Sequence, residues 1–161
     1  MAKQYGIPFT SICPPFIFGP PSDASTSSKS YSLSIVKSWI KGEAAVQSRL
    51  CADVRDVALA HVRIGGLNVM GERIICSTEE RIPSQNMAES LREIAEENEL
   101  DTADKIYPDV EFDGGMIPIG EREVECKERL GKLLGGLVCR PVEETMSDMA
   151  KTLLIAEQTT K

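Results

Sequence analysis

A proline-rich stretch close to the start of the chain limits most strongly what this sequence can fold into. Ile7, Phe9 and Ile12, with the β-branched Thr10 among them, predict a short apolar strand. Residues 14–21 contain four prolines and a glycine, which exclude a regular continuation of that strand. Because open α/β sheets bind ligands beyond the carboxyl ends of their strands, we expect this rigid loop to close a binding site.

Strands and helices alternate along the rest of the chain, although only one further strand, at residues 73–76, is clearly indicated. A sheet of two strands is not stable by itself, so the sequence predicts part of a larger α/β fold. The other predicted elements are a helix end over 1–6, a polar loop over 22–34, a helix around 33–40, an extended segment over 46–52, helices over 57–64 and 84–96, an irregular stretch over 101–120 with a short strand near 110–112, and helices from about 121 and from Pro141.

Several polar side chains lie at or within the predicted helices. Asp53 or Asp56 is expected to cap the helix that ends at Gly65, and for Asp56 a capping role is the simplest explanation. Ser84 is expected to cap the following helix. His61 is interpreted as a packed or hydrogen-bonded residue, because no nucleophile stands in a catalytic arrangement with it.

The composition indicates one soluble globular domain that binds neither nucleic acid nor membrane. The chain has 161 residues, of which 42% are hydrophobic, enough to bury a core. A net charge of −7 argues against a nucleic-acid surface, which needs clustered lysine and arginine. No run approaches the roughly 20 apolar residues of a membrane span, and no basic leader accompanies residues 7–18.

The cysteines point to the cytoplasm. There are five of them, an odd number, and none forms a Cys-x-x-Cys pair. They are therefore expected to be reduced and mostly buried thiols of a cytoplasmic protein. With a single histidine, the sequence offers no convincing set of zinc ligands, so no metal site is predicted.

Four blocks in the same order resemble one known family. In the first block, residues 12–20 contain an apolar strand, then Pro, four residues and Gly-Pro, and in the second, residues 53–62 resemble the block V-x-D-V-x-D-V-A-x-A-H. In the third, residues 71–77 form a predicted strand that precedes a helix, and in the fourth, residues 140–145 resemble R-P-x-E-E-T. Together they are similar to the extended short-chain dehydrogenases/reductases of the NAD-dependent epimerase/dehydratase superfamily. The resemblance is greatest to the branch of dihydroflavonol reductase and cinnamoyl-CoA reductase.

The resemblance implies an α/β fold, namely the C-terminal part of a Rossmann-type extended short-chain dehydrogenase with its small substrate-binding domain. Residues 1–21 would be a remnant of the Rossmann sheet, and residues 22–161 the substrate-binding region with the returning C-terminal strand and helices. The N-terminal dinucleotide-binding half would be missing, because the sequence has neither the Gly-x-x-Gly-x-x-Gly turn nor a Tyr-x-x-x-Lys pair. Its tyrosines are followed four places later by Phe9, Ile35 and Glu111.

The resemblance also assigns the candidate site residues. Those implied to form the wall against the nicotinamide of NADP or NAD are Pro14, Pro15, Phe16 and Ile17, although a proline-stiffened strand end would look the same. Phe18 and Arg49 are the candidates for substrate contact. Arg49 stands where related epimerases have a phosphate-binding arginine, but the reductase branch generally does not keep that residue, so a surface arginine is the simpler interpretation. No catalytic residue is assigned.

Three functions remain open at this point. The first is the C-terminal fragment of an NAD(P)H-dependent oxidoreductase acting on a carbonyl or alcohol (CH–OH) group, inactive alone. Its partners would be a small-molecule carbonyl substrate and a complementing Rossmann half. The second is a non-catalytic binding or regulatory module derived from that fold. The third is a small α/β enzyme that uses Cys13 or Cys51, which an apolar strand disfavours because burial raises the pKa of a thiol.

Overall fold

The computed structural model describes residues 2–22, 30–43, 47–67, 69–106, 117–118 and 120–155. Short strands alternate with helices in these ranges, as the sequence predicts. The strands are β1 (Ser11–Cys13), β2 (Phe16–Phe18), β3 (Ser48–Arg49), β4 (Cys51–Asp53), β5 (Arg73–Ile75), β6 (Glu80–Pro83) and β7 (Ile117–Pro118). The α-helices are α1 (Tyr31–Ile40), α2 (Val54–Gly65), α3 (Ser84–Glu97), α4 (Glu121–Leu133) and α5 (Val142–Ala150).

The strands form three small groups. β1 runs parallel to β5, with Ile12 opposite Ile74. β2 runs parallel to β4, with Ile17 opposite Ala52. β6 lies antiparallel between β3 and β7. The two parallel pairs place the proline-rich stretch beside β4 and the start of α2, which is where the candidate site lies.

The proline-rich stretch contains two strands, where the sequence predicted one. β1 begins only at Ser11, and β2 follows after a break of two prolines. Ile7 and Phe9, predicted to belong to a buried strand, precede β1 and are 56% and 60% exposed. Pro8 lies between them and has no N–H for a strand ladder, which explains why the pairing starts later than predicted.

The starts of α1 and α2 follow from their capping residues. The Ser30 hydroxyl accepts a hydrogen bond from the Leu33 N–H, so α1 begins earlier than the predicted polar loop allows. Asp53 caps α2 by accepting a hydrogen bond from the Arg55 N–H at 2.7 Å. The helix ends at Gly65, as predicted.

The prediction that Ser84 caps α3 is wrong. The helix begins at Ser84 itself, immediately after Pro83, and the buried serine hydroxyl donates a hydrogen bond to the carbonyl oxygen of Gln47 at 2.9 Å. The Ser84 hydroxyl, which the sequence predicted to cap the helix, therefore makes a tertiary hydrogen bond instead. The strand predicted near residues 110–112 lies outside the described residues.

Two clusters of buried apolar side chains form the core. The larger one packs α1, α3 and α5 against one another and against β2; its most enclosed members include Val36, Trp39, Met87, Leu91, Met146 and Met149. The smaller one lies between α2, α4 and the β1–β5 pair, and includes Ala60, Ile74, Cys76 and Leu130. Among the described helices, none has the length and apolar content needed to cross a lipid bilayer.

Candidate functional site

An open cavity of about 730 Å³ lies at the carboxyl end of β2. This volume is within the usual range for small-molecule sites. Its lining is mostly apolar, with a few serine hydroxyls, and comprises residues 15–22, residues 30–33, Val54 and Met149. The cavity is therefore built from the proline-rich loop, the start of α1, the start of α2 and the end of α5.

A row of aromatic rings runs from the core to the mouth of this cavity. The rings of Phe16 and Phe18, two residues apart on β2, stack with centroids 6.4 Å apart. Phe18 is buried against Trp39 at 6.1 Å, and Phe16 lies 6.0 Å from Tyr31, which is 69% exposed. Such ring contacts stabilise their positions beyond simple burial. This row of rings is thus buried in the core at Trp39 and accessible to a ligand at Tyr31.

Gly19 allows the loop to pass closely over the start of α2. Its φ is +116°, a backbone conformation that side chains disfavour. A Cβ at this position would lie 3.0 Å from Cγ1 of Val54 and 3.4 Å from the carboxylate oxygens of Asp53. The glycine is therefore required by both conformation and space.

A network of ion pairs joins the start of α2 to α5, the two helices that contribute Val54 and Met149 to the cavity lining. The Asp53 carboxylate accepts hydrogen bonds from the Arg55 side chain at 2.9 Å and 2.7 Å, and Arg55 also donates to Asp148 of α5 at 2.6 Å. Burial raises the pKa of the Asp53 carboxyl, but hydrogen bonds from Arg55 and Thr145 and the charge of Arg55 outweigh it. The pKa of Asp53 is held below its ordinary value, and the pairs fix α2 and α5 where Val54 and Met149 enter the cavity.

Asp56 does not cap α2, and that prediction is wrong. Its buried carboxylate lies in the first turn of the helix and accepts hydrogen bonds from the backbone N–H of Arg140, at 2.7 Å, and from the Arg140 guanidinium. The cap position is already occupied by Asp53. Asp56 therefore joins α2 to the segment that leads into α5.

Four of the six predicted site residues lie together in the cavity lining, namely Pro15, Phe16, Ile17 and Phe18. Pro14 precedes them and does not line the described cavity. Arg49 does not line it either, but its guanidinium lies 4.3 Å from the centroid of the Phe16 ring, a cation–π contact. Arg49 is half-buried. The cofactor and substrate roles of these residues remain predictions.

The sequence did not identify the lining residues contributed by helices. Tyr31 falls in the stretch predicted to be a polar loop, and Leu33 stands where that loop meets the helix predicted around 33–40. Val54 precedes the helix predicted over 57–64, and Met149 lies on the helix predicted from Pro141. The one available signal was Ser30, whose capping ability marks the start of α1 and so places Tyr31 beside the loop.

The cysteines and the histidine form neither a catalytic nor a metal site among the residues that the structure describes. Cys51 and Cys76 are buried, Cys13 and Cys139 are half-buried, and no disulfide joins them. Burial raises the pKa of Cys51 to about 11, which opposes its use as a nucleophile. The exposed His61 places Nδ1 2.7 Å from the carbonyl oxygen of Val57. No group of metal-ligating side chains occurs in the described ranges.

Comparison with known proteins identifies the fold. No family model matches the sequence, and no curated protein matches it. The structure of yeast methylglyoxal/isovaleraldehyde reductase Gre2 in complex with NADPH is similar over 98% of this chain and 47% of that one, with 24% identity and a TM-score of 0.73. Vestitone reductase from alfalfa (Medicago sativa) matches over 96% and 50%, with 20% identity and a TM-score of 0.59.

A third similar structure shows that the likeness is not limited to reductases. UDP-glucuronic acid 4-epimerase from Bacillus cereus, in complex with UDP-glucuronic acid and NAD, matches over 96% of this chain and 48% of that one, with 14% identity and a TM-score of 0.60. The chain has the α/β fold of the C-terminal part of Rossmann-type extended short-chain dehydrogenases/reductases, as its four sequence blocks predict. It spans about half the length of these structures.

Proposed function

We propose that this chain is the substrate-binding part of an NAD(P)H-dependent oxidoreductase that acts on a carbonyl or alcohol (CH–OH) group. The observation that carries the proposal is the apolar, aromatic-walled cavity beyond the carboxyl end of β2. The fold supports it, since yeast Gre2 and alfalfa vestitone reductase are reductases by name and share this architecture. Reduced thiols suit a cytoplasmic location for such an enzyme.

The lining residues fit the nicotinamide end of NADP or NAD and a small apolar substrate. Pro15, Phe16 and Ile17 offer a flat, stiff apolar surface to a planar ring. No lysine or arginine occurs among the described lining residues, so nothing there matches the charge of a pyrophosphate. The chain would thus contact the ring and the substrate, while the phosphates would bind elsewhere.

In this role the residues of the chain would bind and orient the substrate and would exclude water from it. The rings of Phe16 and Tyr31 would contact the apolar body of the substrate, and the hydroxyls of Ser22 and Ser32 would orient its oxygen. When bound, nicotinamide supplies or accepts the hydride. The described lining offers the phenol of Tyr31 but no carboxylate, imidazole or amine to assist it, so proton transfer would depend on a group outside the cavity. This is why we expect the chain to be inactive alone.

A complementing Rossmann half is the partner that the exposed surface favours. In the described structure β1 pairs with β5 on one edge only, although parallel sheets are normally extended and covered on both faces. Apolar side chains in the segments that lead into β1 and β5 are exposed, namely Tyr5, Ile7, Phe9, Leu67 and Met70. We infer that further strands would pair with the open edge of β1 and cover this surface.

Binding to the cavity can be followed through the single tryptophan. Trp39 packs against Phe18, which lines the cavity, so its fluorescence reports on occupancy. We expect benzylacetone, a methyl ketone that carries a phenyl group, to change this fluorescence in a saturable manner. Tyr31→Ala should weaken the affinity about fivefold, the loss of roughly 1 kcal/mol expected for one aromatic contact.

A matched control variant separates the cavity from general surface effects. Tyr5→Ala removes a tyrosine of similar exposure, 71% against 69%, that does not line the cavity. It should leave the affinity for benzylacetone unchanged. Equal effects of the two substitutions, or no saturable binding by the unsubstituted chain, would overturn the assignment of this cavity.

The alternative, a non-catalytic binding module, predicts different behaviour in solution. A self-sufficient module should be monodisperse and should melt cooperatively, whereas a chain with an uncovered sheet edge should associate. Sedimentation velocity and a thermal melt of the chain distinguish these outcomes. Self-association that is reduced by Phe9→Lys supports the open edge and the oxidoreductase proposal.

A further inference from the structure

Two thiols that are far apart in the sequence lie side by side in the fold. Cys76 and Cys139 are 63 positions apart, and their sulfur atoms are 3.8 Å from each other. Cys76 is completely buried directly after β5, whereas Cys139 is half-buried in the segment between α4 and α5. Both are reduced in the structure.

Each of the two thiols is held in place by a separate structural feature. Cys76 follows β5, whose pairing with β1 sets Ile74 opposite Ile12. Cys139 directly precedes Arg140, whose backbone N–H and guanidinium bind the buried Asp56. The proximity of the sulfurs is therefore fixed by the tertiary fold, and it should disappear when the chain unfolds.

Only one of the two thiols can be approached from solvent. Cys139 lines an open cavity of about 480 Å³, together with Thr78, Glu79, Glu80, Ile82, Val138 and residues 140–143. This cavity is distinct from the candidate substrate cavity. Cys76 does not line it and is fully enclosed. A small disulfide reagent in this cavity would therefore meet Cys139 first.

We propose that Cys76 and Cys139 form an intramolecular disulfide by exchange with a low-molecular-weight disulfide such as oxidised glutathione. The thiolate of Cys139 attacks one glutathione sulfur, forming a mixed disulfide and releasing the first glutathione as a thiolate. Cys76 then loses its proton and attacks the Cys139 sulfur, forming the internal disulfide and releasing the second glutathione. The two cysteines lose two hydrogens, and oxidised glutathione becomes two molecules of reduced glutathione.

Disulfide formation requires the two sulfur atoms to move closer together. A disulfide needs a sulfur separation of about 2.0 Å, so the two sulfurs must approach by roughly 2 Å from their present 3.8 Å. Closing this bond would connect the end of β5 to the segment that Arg140 anchors. Because the enclosed loop is long, the bond should restrict the unfolded chain and raise the unfolding midpoint.

The test is a peptide map of the full chain after equilibration with oxidised and reduced glutathione. Free thiols are blocked with N-ethylmaleimide, and linked peptides are identified by mass spectrometry without reduction. We expect one dominant link, between the peptides that contain Cys76 and Cys139, with a mass loss of two hydrogens. In urea the same chain should give scrambled pairings of its five cysteines.

Substitutions establish the order of the two steps. Cys76→Ser should leave glutathione attached to Cys139, whereas Cys139→Ser should leave Cys76 unmodified because it is enclosed. Cys13→Ser, at a half-buried thiol opposite Ile75 whose sulfur contacts Ser11 and Arg73 rather than the pair, should leave the link unchanged. Scrambled links in the native chain, or recovery of Cys76 and Cys139 as free thiols while Cys13 is oxidised, would overturn the proposal. None of these outcomes depends on whether the chain binds a carbonyl compound.

Discussion

The carboxylate of Asp56 accepts hydrogen bonds from both the backbone N–H and the guanidinium of Arg140, which lies 84 positions further along the chain. The side chain of Asp56 is 2% exposed and that of Arg140 is 33% exposed. The pair joins the first turn of α2 to the segment before α5, and these two helices carry Val54 and Met149 into the cavity. A buried acid held by long-range partners is thus part of the framework of the candidate site.

Replacing Asp56 should destabilise the fold although it does not touch the cavity. Asp56→Asn removes the charge and weakens two hydrogen bonds to a buried acceptor, so we expect a loss of about 2 kcal/mol in the free energy of unfolding. Urea denaturation measures this loss. Glu143→Gln, at an exposed acid of α5, is the control and should change stability by less than about 0.5 kcal/mol. Equal stabilities of the two variants would show that the Asp56–Arg140 pair does not support the fold.

Two glycines near α2 should respond to alanine in opposite directions. Gly19→Ala introduces a Cβ at a φ of +116° and 3.0 Å from Val54, so we expect a loss of about 1–2 kcal/mol. Gly65→Ala lies in the last turn of α2 with open space around it, and should be neutral or stabilising by up to about 1 kcal/mol. A thermal melt of both variants checks the contrast, which fails if Gly19→Ala is as stable as the unsubstituted chain.

The Asp53–Arg55 pair should contribute stability that depends on pH. Because the pKa of folded Asp53 is depressed, its contribution is fully present above the unfolded pKa of about 3.9 and is lost as the pH falls through the folded value. Asp53→Asn keeps a good helix cap but removes the charge. We therefore expect the variant to be less stable by about 1 kcal/mol at pH 7, and the difference to shrink in acid. A constant difference between pH 7 and pH 3, measured by urea denaturation, would contradict this account.

The thiol of Cys51 should be unreactive while the chain is folded. Burial is the main cause that raises its pKa to about 11; the charges of Cys139 and Glu143 add to it, and a hydrogen bond with Thr78 opposes it. At pH 8 the thiolate fraction is then about a hundredfold below that of an ordinary cysteine. Alkylation of Cys51 by iodoacetamide, followed by mass spectrometry, should be at least that much slower in the native chain than in urea. Comparable alkylation rates in the two states would show that folded Cys51 is reactive. They would then favour the third function considered, a small enzyme that uses a cysteine.

The sequence predicts the order of the main helices and the location of the cavity because both depend on local signals. Gly65 ends α2, and the prolines of residues 14–21 stop one strand and stiffen the wall. Local signals also explain the errors. Asp56 and Ser84 are residue types that often cap helices, but their side chains form hydrogen bonds with Arg140 and Gln47, which are distant in the sequence.

The second strand of the proline-rich stretch could not be predicted for a related reason. β2 has three residues, between Pro15 and Gly19, which is too short to show a periodic pattern, and it exists because β4 pairs with it. The aromatic row depends on the same pairing, since β2 sets the ring of Phe18 against Trp39. Such contacts join residues that are distant in the sequence, so local sequence patterns cannot predict them.

The most direct test of the central claim is one titration of the chain with benzylacetone in the presence of NADPH, in which Trp39 fluorescence and NADPH absorbance are recorded together. The account predicts a saturable change in the fluorescence of Trp39 while the NADPH absorbance stays constant, because the cavity binds the ketone but its described lining has no carboxylate, imidazole or amine to assist the Tyr31 phenol in proton transfer. Consumption of NADPH by this chain alone, or the absence of any saturable change at Trp39, would contradict it.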